Sequence, residues 1–134
     1  MSRTKQEVRD FLQSQVGQKV NAKCGIYNGQ CVSLIKALLE FLGVPDPYKG
    51  RGNATDVGDT LLAEGIAQNG AGWLTVVINH DMGRIYENGQ WNNYGHIWLD
   101  LKDEANFEQN GAKALYTTKN TRPISQGQQF VNLD

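Results

Sequence analysis

Two side chains in this sequence are suited by type and setting to covalent chemistry, and they lie far apart in the chain. Cys31 follows the Gly-containing stretch Tyr27-Asn28-Gly29-Gln30 and opens a long apolar run. If that run is a helix, Cys31 sits in its first turn, where unpaired N–H groups and the positive end of the helix dipole favour a thiolate. The same N–H groups are donors for a developing oxyanion. The competing role is packing, since a small thiol at a helix start is commonly buried for its apolar character alone. His96 follows Tyr94-Gly95 and heads Ile97-Trp98-Leu99. Strand alternation gives His96, Trp98 and Asp100 one face, and an imidazole held on a strand keeps the fixed geometry a general base needs. The plainer alternative is a strand-end histidine bonded to backbone.

A third element is Phe107-Glu108-Gln109-Asn110. On a strand Glu108 and Asn110 share a face, Phe107 and Gln109 the other. A carboxylate or amide beside a strand carrying histidine orients the ring and stabilises its protonated form. A solvent-facing polar strand would show the same pattern. The second histidine, His80, stands in the turn-like Asn79-His80-Asp81-Met82-Gly83 and reads as a solvated loop residue.

The elements that must position these groups follow from periodicity. Thr4 and Glu7 form a capping-box pattern, with Val8, Phe11, Leu12 and Val16 on one helical face and Gly17 as a stop. Val20 to Gly29 is rich in Gly and Asn and reads as an irregular loop. From Gln30 the apolar residues run almost all round a helix, with Ser33, Lys36 and Glu40 at its surface; Gly43, Pro45 and Pro47 end it. A shorter helix starts at Asn53-Ala54-Thr55-Asp56. Strands are predicted over 73–79, 84–87, 96–101, 105–109 and 112–118, with Asn88-Gly89 as a hairpin turn. The tail 119–134 reads as an edge strand or the start of a linker. Helices first and strands after give an α+β domain spanning 1–134.

Composition excludes several function classes. With 13 Lys and Arg against 14 Asp and Glu there is no basic stripe, so nucleic acid is not an expected partner. The longest apolar run, Val32 to Val44, is short and interrupted by Lys36 and Glu40, so no membrane insertion is expected. The N-terminus lacks an apolar signal core. Cys24, Cys31, His80 and His96 lack the close ligand spacing of a structural zinc site, and no glycine pattern cradles phosphate. Whether Cys24 and Cys31 bridge is open; one bridge would not make a disulfide framework.

The ordered set of Tyr27-Asn28-Gly29-Gln30-Cys31, Gly52-Asn53-Ala54, Tyr94-Gly95-His96-Ile97 and Phe107-Glu108-Gln109-Asn110 resembles the CHAP family, the cysteine- and histidine-dependent amidohydrolases and peptidases of phage endolysins. The landmarks fall between Tyr27 and Asn110, and the resemblance covers roughly residues 5 to 118. The resemblance implies a papain-like fold, with the Cys-bearing central helix packed on an antiparallel sheet. It implies Cys31 as nucleophile, His96 as base, Glu108 as orienting partner, Asn110 in support, and Gln30 as an oxyanion donor or turn former. The substrate it implies is peptidoglycan, cut at the N-acetylmuramoyl-L-alanine amide or in the stem peptide or cross-bridge. It implies a monomer without cofactor, made in a host cytoplasm and acting on the wall after release. Tyr94 and Trp91 are candidate substrate contacts. A non-catalytic wall-binding or phage structural module of the same fold stays open, as does a cysteine hydrolase of another amide.

One departure concerns metal. Some relatives carry an Asp-rich calcium loop where this chain has Val20-Asn21-Ala22-Lys23-Cys24-Gly25, which offers no carboxylate. Calcium wants six to eight oxygen ligands, several of them carboxylates. No metal is therefore expected, and EDTA should leave activity and melting temperature unchanged. Loss of activity in EDTA that returns with calcium would refute this.

Overall fold

The computed structural model describes residues 2–20, 31–82, 84–102, 106–109, 117–120 and 126–134. Its first helix, α1 (Lys5–Gln15), starts at the predicted capping box: Thr4 Oγ1 accepts from Glu7 N–H at 3.1 Å, and Glu7 Oε1 accepts from Thr4 N–H at 2.9 Å. Val8 and Leu12 are its buried face. The central helix α2 (Cys31–Phe41) ends at Gly43, whose left-handed φ of 79° lets Val44 N–H reach Leu39 O at 3.0 Å. Ser33 departs from expectation: it is buried along with Leu34, Ile35, Leu38 and Leu39. The helix therefore exposes less of its first turns than the polar positions suggest. α3 (Ala54–Ala63) begins after Asn53, whose N–H donates to Asp56 at 3.0 Å.

Among the described residues eight strands follow: β1 (Gln68–Asn69), β2 (Leu74–Asn79), β3 (Arg84–Glu87), β4 (Gln90–Asn93), β5 (His96–Leu101), β6 (Asn106–Gln109), β7 (Thr117–Asn120) and β8 (Gln129–Asn132). Six of them form one antiparallel sheet in the order β1-β8-β2-β5-β6-β7, and β3 and β4 form a separate two-stranded ribbon. The chain is thus α+β, with its helices N-terminal to an antiparallel sheet. Asn88 and Gly89 both adopt positive φ, 51° and 79°, the geometry an Asn-Gly hairpin turn requires.

Two expectations are revised. The tail read as an edge strand divides in two: residues 119 and 120 continue β7 at the sheet edge, whereas β8 lies between β1 and β2, burying Val131. Phe130, Val131 and Leu133, standing after a long polar stretch, are too short an apolar pattern to mark an interior strand in the sequence. The strand predicted over 112–118 meets β7 only at Thr117 and Thr118; its remainder, like the loop over 21–29, lies outside the described residues.

The core forms on one face of the sheet. Val76, Ile78, Ile97, Leu99 and Phe107 pack in one cluster with the apolar sides of the helices. Gly58 of α3 lies so close that a Cβ there would come within 2.6 Å of Ile78 Cδ1. No helix among the described residues is long and apolar enough to cross a membrane.

Candidate active site

Cys31 is the first residue of α2 and a half-buried free thiol. His96 is the first residue of β5, and its ring is in hydrogen-bonding contact with the Cys31 side chain. A pair 65 positions apart in sequence thus meets where the helix begins and the strand begins. Leu99 pairs with Phe107, so alternation brings Glu108 to the face of His96 and Trp98. Glu108, 1% exposed, places Oε2 3.0 Å from His96 Nε2. A carboxylate only accepts, so Nε2 carries the proton in that bond and Nδ1 is the ring nitrogen left for the sulfur. Trp98, fully buried, lies 5.9 Å from the imidazole, centroid to centroid, and walls it from the side.

The electrostatics suit an ion pair. Burial by itself would push His96 down, but hydrogen bonds to Cys31 and Glu108, with the charges behind them, outweigh burial and raise it from 6.5 to about 9. His96 therefore holds its proton at neutral pH beside the sulfur. Glu108 is buried too deeply to stay ionised without a partner, and His96 supplies one.

Two supports had no clear sequence signal. Gln109, buried on the opposite face from Glu108, uses its amide twice on Val20: Oε1 accepts from the N–H and Nε2 donates to the carbonyl, both at 2.8 Å. This fixes the chain where it enters the segment leading to Cys31. Gly95, directly before His96, has φ +75°, and a Cβ there would stand 2.8 Å from the backbone nitrogen of Thr55. That nitrogen donates to Tyr94 O at 3.0 Å, so α3 and the approach to β5 are in close backbone contact. Gly95→Ala should cost about 1–3 kcal/mol and lower activity by displacing His96. Thermal melting and a hydrolysis assay check this; an unchanged melt would mean the contact relaxes freely.

His80 departs from its reading as a solvated residue. It is half-buried in a turn, and Nδ1 shares a hydrogen bond with Thr55 Oγ1 at 2.5 Å. The amide Asn93 Nδ2 donates to its carbonyl, and its own N–H donates to Gln128 Oε1 at 2.7 Å. His80 ties the base of the β3–β4 ribbon to α3. Of the remaining candidates, Tyr94 is half-buried and touches α3 through its carbonyl, while Trp91 stands exposed on the ribbon beside Tyr86. Asn110, Gln30 and, beyond Val20, residues 21–25 of the segment considered for calcium lie outside the described residues. Among the described residues no cluster of three or more His, Cys, Asp or Glu forms a metal site.

A cavity of about 380 Å³ lies elsewhere, lined by Arg3, Phe11, Phe41 and Tyr48 among others. It sits at the other end of α2, roughly 15 Å from Cys31 at 1.5 Å rise per residue. Phe11 and Phe41 stack at 4.4 Å under Arg3, and the cavity holds no nucleophile–base pair. Comparison with known protein families, curated proteins and solved structures finds no match to this chain.

Proposed function

We propose that this protein is a papain-like cysteine amidohydrolase of the CHAP type that hydrolyses an amide bond of bacterial peptidoglycan. One observation carries the catalytic part: a free cysteine at a helix N-terminus in hydrogen-bonding contact with a histidine whose far nitrogen is held by a buried glutamate. These are a nucleophile, a base and an orienting group in mutual reach. The substrate class rests on the ordered sequence landmarks around Cys31, Asn53, His96 and Glu108.

Cys31 Sγ attacks the amide carbonyl carbon, and the carbonyl π pair moves to oxygen, where N–H groups at the start of α2 receive the charge. As the C–N bond breaks, His96 gives its Nδ1 proton to the departing amine. The thioester remains on Cys31. Water then enters, its oxygen bonds to the thioester carbon as His96 takes its proton, and the C–S bond breaks to release a carboxylic acid and return the sulfur to His96. Glu108 stays ionised throughout; it fixes the ring plane and favours its charged form.

Mass spectrometry of fragments released from purified peptidoglycan tests this reading and assigns the bond. New amino groups paired with new carboxyl groups, on muramoyl lactate or on a peptide, are the expected products. Glycan fragments with new reducing ends and intact peptides would overturn it.

A further inference from the structure

The β3–β4 ribbon stands outside the main sheet and carries the two large apolar side chains that are most exposed among the described residues, Tyr86 at 61% and Trp91 at 70%. They are direct cross-strand partners, with ring centroids 5.3 Å apart and planes inclined by 60°. Exposing two aromatic rings side by side costs solubility and gives nothing to this fold's core, which lies on the helix-covered face of the other sheet. We propose that Tyr86 and Trp91 form a stacking platform for the glycan strand of peptidoglycan; this rests on the substrate class proposed above and deepens it.

Three observations select a sugar. The ribbon and its turn, residues 84–93, carry one cation, Arg84, one carboxylate, Glu87, and four amides, Asn88, Gln90, Asn92 and Asn93. One cation offset by one carboxylate makes no track for phosphates, which a nucleic acid would need beside its stacked bases. Second, two side chains on a narrow ribbon bury far less than the roughly 1,000 Å² a stable protein interface requires. A pyranose ring fits the area and the chemistry: its C–H face carries slight positive charge against the negative aromatic face, and its rim hydroxyls meet the exposed Asn88 at the turn after Tyr86.

Third, the ribbon is anchored to the site. At its base Asn93 donates to His80, His80 bonds Thr55, and Thr55 N–H donates to Tyr94 O, two residues before His96. A glycan held on the ribbon is therefore positioned against the same α3–β5 contact that sets the histidine. The platform would hold the polymer while the peptide branching from it reaches Cys31.

The test is binding, so it does not depend on catalysis or on Cys31. Chitohexaose, a β-linked N-acetylglucosamine oligomer, is titrated into ¹⁵N-labelled protein while the three tryptophan indole N–H signals are followed. The Trp91 signal should move saturably, while buried Trp73 and Trp98 stay in place and report that the fold is intact. Tyr86→Ala should weaken binding roughly tenfold, the scale of one lost ring stack, and Tyr86→Phe should largely restore it. No movement of the Trp91 signal at millimolar chitohexaose would overturn the proposal, as would equal affinity in Tyr86→Ala, or movement with an oligothymidylate but not with the sugar. Any of these results would leave the Cys31 amidohydrolase reading standing on its own test.

Discussion

Cys31→Ala is expected to lower the rate of peptidoglycan hydrolysis by several orders of magnitude, on the order of 10⁴ to 10⁶, without unfolding the protein. The size follows from the kind of residue removed. A nucleophile, base and orienting group act as a unit, so loss of the attacking atom abolishes the acyl-enzyme route and leaves only what binding and oxyanion donors contribute. The fold should survive because Cys31 is only half-buried at the edge of the core, and alanine keeps the helix start with its Cβ. Clearing of a wall suspension and a thermal melt, run on the same preparation, separate the two effects. Cys24→Ser should matter far less. Clearing at the wild-type rate by Cys31→Ala would end the proposal.

His96→Ala should be nearly as damaging to rate, and unlike Cys31→Ala it should also lower stability. It leaves Glu108, buried and 3.0 Å from the lost nitrogen, without its cation; breaking one half of a buried pair typically costs about 3–5 kcal/mol. Glu108→Gln is the finer probe, because the amide oxygen can still accept from Nε2 but the charge is gone. His96 is raised in the folded protein to about 9, so its imidazolium persists below that value and is lost as pH rises through it. Acylation that needs this proton should show an alkaline fall in kcat/KM near 9, and in Glu108→Gln the fall should begin at lower pH. Stability follows the same sign. The contribution from charged His96 is fully present below 6.5 and lost as pH rises from there to about 9, and the loss should be smaller in Glu108→Gln. An alkaline limb unmoved by Glu108→Gln would mean that the glutamate does not support the imidazolium charge.

Much of this arrangement was legible in the sequence where one local rule dominated. The Thr4–Glu7 capping box, the Asn88-Gly89 turn and the apolar strand from His96 to Leu101 each depend on neighbours a few positions away, and all three appear as read. Alternation along two short strands also put Glu108 on the face of His96. What the sequence hid depends on distant partners. The interior position of β8 is set by pairing with β1 and β2, which no residue in 129–132 announces. Ser33 looks like a surface residue until the helix is packed on nearly all sides. His80 reads as solvated because its partner Thr55 is 25 positions upstream, and Gln109 reads as an ordinary strand residue until Val20 is brought beside it. The requirement for glycine at position 95 is likewise invisible until the α3 backbone lies against it.

The central claim is that the Cys31 sulfur, paired with His96, performs the chemistry. Stoichiometric alkylation tests it most directly. Protein is treated with limiting iodoacetamide at mildly acidic pH, fragment-ion mass spectrometry divides the adduct between Cys24 and Cys31, and residual wall hydrolysis is measured at each time. The adduct is expected first at Cys31, with activity falling in proportion and reaching zero at one adduct per chain; the same reagent should label Cys31 more slowly in His96→Ala. Full activity in protein whose Cys31 is completely alkylated would contradict it.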